Sequence, residues 1–261
     1  MPASVRGPES EAPIVLLHGF GGDVETWINI RVALEGRHRV ISFDLPGHGR
    51  AAGWPEIGNA RVAARAVLQS LEALDLSRVH LVGHSMGGAT AFLVAAKAPE
   101  RIASLTLIAP GGFGPEVNHR LLRRYAEAET DAEIAPLLEQ FFGDATVLAP
   151  AIVRRISAAR AADPRLIANY KAIAETIVTE TGQPELKREM LAGVNYPVKL
   201  IWGEMDRVIP VTQTAHVPPN VGVHRLPGIG HMPQAEAPRI VYRLILENVA
   251  AGNGLLANRA G

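Results

Sequence analysis

Cysteine is absent from this 261-residue chain. Disulfides, thiolate nucleophiles and thiolate metal sites go with it, so any nucleophile must be oxygen or nitrogen. An excess of charge is also missing, since 26 Lys and Arg balance 26 Asp and Glu; no long-range field draws the protein to nucleic acid or to an anionic membrane. No uninterrupted apolar run could span a bilayer, and residues 1–10 contain no apolar stretch that could serve as a signal peptide, so a cytoplasmic protein is expected. The Gly21-Gly22 pair lacks both a Gly-x-Gly-x-x-Gly fingerprint and a Walker lysine, which favours a turn over a phosphate cradle. His38, His80, His119, His216 and His224 are scattered with no pair at ligand spacing, so neither a metal nor a cofactor is expected.

What the chain does contain is alternation. Short runs rich in Val, Ile and Leu predict strands at Ile14–Leu17, Val40–Phe43, Val79–Val82 and Leu105–Ile108, with helical patterns at Arg61–Leu74 and Met86–Ala98 between them. Runs apolar on both faces imply an α/β fold with a mostly parallel sheet covered by helices on both sides. Strand signals then stop, and Leu121–Glu129, Ile134–Phe142, Ala151–Ala161 and Arg165–Glu180 read as amphipathic helices. Pro197–Gly203 and Val221–Leu226 restore the strand pattern, and Ile240–Val249 predicts a closing helix. The expected organisation is a core of residues 1–114 and 193–261 interrupted by a helical cap of residues 115–192. There is no internal repeat, and the length suits one α/β domain with an insertion.

The densest chemical signal is Gly83-His84-Ser85-Met86-Gly87-Gly88, with the β-formers Val79-His80-Leu81-Val82 before it and an alanine-rich helix pattern after it. A serine on a sharp strand-to-helix turn needs small neighbours two residues to either side, so that helix and strand approach closely while the hydroxyl points outward. Such a serine requires a base within hydrogen-bond reach, and the base requires an acceptor to hold its tautomer. His231, in the glycine-rich loop Leu226-Pro227-Gly228-Ile229-Gly230-His231, suits the first role. Asp206, just beyond the strand ending at Gly203, suits the second, with Glu204 in the same loop as its competitor.

The order Ser, Asp, His resembles that of the α/β-hydrolase fold family. So do His18-Gly19-Phe20-Gly21-Gly22-Asp23, similar to the family's His-Gly loop after an early strand, and Asp44-Leu45-Pro46-Gly47-His48-Gly49, similar to its second turn. The resemblance extends over residues 12 to 250. It implies Ser85 as nucleophile, His231 as base and Asp206 as the orienting acid, with the backbone N–H groups of Phe20 and Met86 forming the oxyanion hole. His18 and His48 are expected as turn and loop-network residues. His84, Trp27 and Phe113 are the candidates to line or border the substrate pocket, together with a few of the cap residues Leu121, Leu122, Leu138, Phe141, Phe142 and Ile152. Arg120, Arg123 and Arg124 are expected on a solvated face, one of them being free to turn inward toward a substrate carboxylate.

Within the family, Leu107–Asn118 together with the loops at His18 and His231 resembles the hydrolase-like domain of acyltransferase components of bacterial acetoin dehydrogenase complexes. Those proteins generally carry an amino-terminal lipoyl domain, and nothing before Glu11 is expected to form one. The cap and the three site residues are also similar to those of esterases and of carbon–carbon bond hydrolases of ring-cleavage products; the latter usually show Gly-Asn-Ser where this chain has Gly-His-Ser. The resemblance therefore implies a cofactor-independent serine hydrolase cleaving an ester, thioester or activated ketone of a small acyl substrate. Acyl transfer to dihydrolipoamide, ring-product hydrolysis and a non-catalytic binding role are its alternatives.

Overall fold

The computed structural model describes residues 1–260, and the side chains of residues 1–255. Strands β1 (Ala3–Arg6), β2 (Ile14–Leu17), β3 (Val40–Phe43), β4 (Val79–His84), β5 (Ile102–Ile108), β6 (Val198–Gly203) and β7 (Val221–Leu226) form one sheet. Their spatial order is β1-β3-β2-β4-β5-β6-β7. Only β1 runs antiparallel to its neighbour; every other pairing is parallel. The chain moves outward from β2 to β3 and then returns to the far side of β2 as β4, so the strand order reverses between β2 and β4. A crevice opens at the carboxyl ends of strands at such a reversal. The segments leaving β2 and β4 there are His18–Asp23 and Ser85.

The helices are α1 (Ile28–Leu34), α2 (Ala60–Ala73), α3 (Met86–Lys97), α4 (His119–Glu127), α5 (Asp131–Leu138), α6 (Pro150–Ala162), α7 (Arg165–Ile177), α8 (Pro233–Glu236) and α9 (Pro238–Ala260). Strand side chains alternate between the two faces. Ile14, Leu16, Val82 and Ile108 pack beneath Ile30 and Leu34 of α1 and Val241 and Ile245 of α9. Val15, Leu17, Leu81 and Leu105 pack beneath Val67 and Leu71 of α2 and Ala91 and Phe92 of α3. The expected coverage of both faces is therefore present. Between β4 and α3 the approach is tighter still: a Cβ on Gly83 would lie 2.6 Å from the carbonyl carbon of Gly87 and 2.9 Å from Cβ of Ala91.

Four helices, α4 to α7, are inserted between β5 and β6. Their starts follow local capping. The Asn118 side chain accepts from the Leu121 N–H, and Thr130 with Glu133 forms a capping box, so α4 and α5 begin two and three residues ahead of the apolar periodicity; each such cap is worth about 1 kcal/mol. Helix α7 stops at Ile177 rather than Glu180 because Val178 is extended and the Thr179 N–H donates to the Gly182 carbonyl instead. Helix α9 runs well past the expected Val249. No described helix is long and apolar enough to cross a membrane.

His80, buried in β4, joins α9 to the sheet. Its Nε2–H donates to Oδ1 of Asn253 at 3.0 Å, and its Nδ1 accepts from the Ser104 hydroxyl at 2.9 Å. Burial pushes its pKa down to about 4. In the unfolded chain a histidine titrates near 6.5, so between pH 6.5 and 4 the unfolded state takes up a proton that the folded state refuses. Stability is lost as pH falls through that window, by up to about 1.4 kcal/mol per pH unit from this group. Urea unfolding at pH 7 and pH 4.5 should show His80→Asn losing less stability between the two than the parent does; equal losses would assign the acid sensitivity elsewhere.

Candidate active site

Ser85 follows β4 and caps α3 with φ 53° and ψ −118°. A non-glycine residue persists in such a conformation only where its surroundings hold it, at about 1–3 kcal/mol. Here the Ser85 N–H donates to the Ile108 carbonyl at 2.9 Å, and its own carbonyl accepts from Ala89 at 3.0 Å and Gly111 at 3.1 Å. The turn is thus fixed from β5, from α3 and from the loop after β5. Met86 opens α3, so its N–H has no partner within the helix and carries the positive end of the helix dipole.

His231 lies between β7 and α8. Its Nδ1–H donates to Oδ2 of Asp206 at 2.7 Å, which leaves Nε2 as the acceptor nitrogen. Its backbone is held at both ends: the N–H donates to the Phe141 carbonyl at 2.7 Å, and the carbonyl accepts from Nε2–H of His84 at 2.7 Å. The Asp206 side chain is fully buried. Four donors compensate its charge: the Val208 and Ile209 N–H groups at 2.8 and 2.9 Å on Oδ1, and Trp202 Nε1–H at 3.1 Å with His231 on Oδ2. Glu204, by contrast, is exposed. Asp206 is therefore the carboxylate that meets His231.

Two cavities meet at Ser85, and Phe20 and Leu122 line both. The larger, about 350 Å³, also takes in His84, His231, Phe141 and Arg155. The smaller, about 100 Å³, is walled by Met86, Val117, Ile177 and Leu186 among others. Of the cap's apolar stripe, Leu122, Leu138, Phe141, Phe142 and Ile152 reach the larger cavity, whereas Leu121 packs inward. The wall that Leu186 adds comes from the irregular segment after α7, for which the sequence carries no periodic signal.

His84 lines the larger cavity. Burial, and next the adjoining imidazole of His231, holds its pKa well below the usual value, so it is a neutral donor. Trp27 and Phe113 are corrections. Thr26 and Ile28 line the larger cavity, but the intervening Trp27 turns the other way and is fully buried against Ile14 and Leu16 under the sheet. Gly111 and Gly112 line the smaller cavity, while Phe113 lies beneath them against the rings of Phe92 and Trp202 at 5.9 and 6.5 Å.

The loop carrying Phe20 is shaped by His18, whose Nδ1–H donates to the Gly19 carbonyl at 2.8 Å and whose Nε2 accepts from the Leu45 N–H at 2.9 Å. His48 donates through Nδ1–H to the Pro46 carbonyl at 3.0 Å, and burial lowers its pKa to about 3. Both stay neutral and structural. Arg123 pairs with Glu175, and Arg120 and Arg124 are exposed. The inward arginine is Arg160, which donates to the carbonyls of Tyr125 and Ala128 and lies over the Tyr125 and Tyr170 rings at 4.5 and 5.1 Å. It ties the cap together and lines neither cavity at Ser85.

Residues 12–238 match the model of the alpha/beta hydrolase fold family. A dihydrolipoyllysine-residue acetyltransferase component of the acetoin cleaving system from Pseudomonas putida is 35% identical over 242 residues, which cover 92% of this chain and 64% of that protein. Lipase 3 of a Moraxella species is 31% identical over 235 residues, 86% of this chain and 73% of the lipase. Among solved structures, the 2-hydroxy-6-oxo-6-phenylhexa-2,4-dienoate hydrolase of Rhodococcus sp. strain RHA1 superimposes with a TM-score of 0.82 at 22% identity, over 95% of this chain and 94% of that one. The chain spans about three fifths of the length of the acetoin-system relatives it matches.

Proposed function

This chain belongs to the α/β-hydrolase fold family, and we propose that within it the protein is a cofactor-independent serine hydrolase of small, uncharged acyl esters or thioesters. The observation that carries this reading is Ser85 on its positive-φ turn at the junction of two cavities, one of which also holds His231 with its Nδ1–H committed to Asp206. In the first step Ser85 Oγ attacks the carbonyl carbon while its proton passes to Nε2 of His231. The Phe20 and Met86 N–H groups receive the negative charge on the carbonyl oxygen. Collapse of the adduct returns the proton to the departing alkoxide or thiolate and leaves an acyl-serine. A water then repeats the sequence, giving up its proton to His231 and releasing the acid. Asp206 stabilises the imidazolium in both halves and is not itself protonated.

The linings speak for an uncharged substrate. A dienoate would need a cation to compensate its carboxylate. Arg155, the arginine of the larger cavity that also holds His231, is already paired with Asp23. The likeness to the solved ring-product hydrolase at 22% identity bears on the fold alone, but two sequence relatives named as ring-product hydrolases match this chain at 27% and 28% identity, so carbon–carbon bond hydrolysis stands as a further reading.

The acetoin-system relative at 35% identity supports a second reading. There the same acyl-serine is intercepted by a thiol of dihydrolipoamide instead of water, yielding an acyl thioester. The experiment is release of p-nitrophenol from acetyl to octanoyl esters, with and without dihydrolipoamide. Free acid with a clear chain-length preference is the expected product. Acyl-dihydrolipoamide growing at the expense of free acid would replace the hydrolase reading by the transferase one, and no p-nitrophenol from any ester would remove both.

A further inference from the structure

We infer that Glu236 is a positioning residue for His231, and that it works by riveting the cap to the loop that carries the base. The inference rests on the serine-hydrolase reading above. The Glu236 carboxylate stands at the end of α8 and accepts from three backbone N–H groups. Two flank the histidine, Gly230 at 3.0 Å and Met232 at 3.3 Å; the third, Gly143 at 2.8 Å, belongs to the cap. A single side chain thereby joins two segments that are far apart in sequence.

The joint is close enough to fix position as well as connection. A Cβ on Gly230 would fall 2.6 Å from the Phe142 carbonyl carbon, and one on Gly143 would fall 2.9 Å from the Gly230 nitrogen, so the two backbones touch with no side chain between them. Next to this contact the His231 N–H donates to the Phe141 carbonyl, and the Phe141 ring meets the imidazole edge-on at 5.8 Å. Phe141 and His231 also line the same cavity. Asp206 sets the tautomer of the imidazole and its tilt, but it cannot set where the loop lies. That coordinate comes from Phe141 and His84 on the His231 backbone, from the Met205 N–H on the Ile229 carbonyl and from Glu236 on the residues either side of His231. Removing the carboxylate leaves the Gly143, Gly230 and Met232 N–H groups without their acceptor and frees the loop to drift from Ser85. A displacement of about 1 Å from a position set far from the chemistry costs on the order of 10²-fold in rate.

The test compares the parent chain, Glu236→Ala and Glu236→Gln by kcat and KM on p-nitrophenyl butyrate, by the rate of fluorophosphonate labelling at Ser85, and by thermal midpoint. Glu236→Ala should lower kcat at least tenfold with KM within twofold, and labelling should slow in parallel, because both need the base in place. Glu236→Gln keeps one oxygen acceptor and should recover part of the loss. A kcat within twofold of the parent in Glu236→Ala, whatever the change in thermal midpoint, would reduce Glu236 to a structural brace and overturn the inference. Should Glu236→Ala not fold, Glu236→Gln decides: a kcat at least threefold below the parent at unchanged KM supports positioning, and a parent-like kcat overturns it. A parent that does not label at Ser85 would instead sink the serine reading, an outcome visible before either variant is made.

Discussion

Replacing Ser85 with alanine is expected to lower ester turnover by at least about 10⁴-fold, and replacing His231 with alanine by a similar factor, with the double variant no worse than either single one. On the serine-hydrolase reading, the hydroxyl and the imidazole act as one device. A serine hydroxyl at neutral pH is a poor nucleophile until its proton has somewhere to go, and the acceptor at His231 serves nothing else once the hydroxyl is gone. What survives is the binding of substrate in the two cavities and the polarisation of its carbonyl by the Phe20 and Met86 N–H groups. The variant should fold as the parent does, because the bonds that hold the turn, to Ile108, Ala89 and Gly111, are made by the Ser85 backbone and not by its side chain. Initial-rate kinetics and thermal unfolding on the same preparations check both halves. Turnover within tenfold of the parent in a folded Ser85→Ala protein would falsify the nucleophile assignment.

The second large effect is on stability. Gly83→Ala is expected to cost about 3 kcal/mol or more, toward the upper end for overpacked cores, and to lower the thermal midpoint by roughly 6–12 °C for a chain of this size. The added carbon would lie 2.6 Å from the Gly87 carbonyl carbon and nearer still to its oxygen, and a backbone cannot rotate away as a flexible side chain could. Relief requires α3 to lift from β4. Ser85 sits at the junction of those two elements, so activity should fall together with stability. A variant that keeps the parental midpoint would mean that the helix and strand tolerate separation, and that the tight crossing is not what holds the turn.

The places where sequence and structure agree share a physical cause. Ile14–Leu17, Val40–Phe43 and Val221–Leu226 have the bounds expected of them: the first two are short apolar runs flanked by proline or polar residues, and the third is a Val-x-Val-x-x-Leu pattern between Asn220 and Pro227. The strand Ala3–Arg6 is absent from the sequence reading: it is four residues long, lies on the edge and is only half covered, so it leaves no apolar run to detect. Helix α1, only seven residues long, sits directly after the Val24–Trp27 turn. At the site, Asp206 and His231 are recognisable because a carboxylate and an imidazole are chemically distinctive in loops after strands. Trp27 and Phe113 were misplaced toward the pocket because a large aromatic residue beside a site loop reads the same whether it faces the cavity or the core. Glu236 leaves no signal in the sequence, since the groups it binds are backbone N–H groups, which every residue type but proline carries.

The insertion of the cap between β5 and β6 also sets a sequence of events in time. The serine and its turn are made before the cap, whereas Asp206 and His231 follow the whole of it, the latter about 150 residues after Ser85; at roughly 5–20 residues per second that interval is about 7–30 s of synthesis. For most of it β5 lacks its neighbour β6, and the Asn118 N–H lacks the Val208 carbonyl that it meets in the folded chain. A nascent chain thus owns its reactive hydroxyl long before the group that would arm it. On the serine-hydrolase reading, the site is complete only once β6 and β7 have docked.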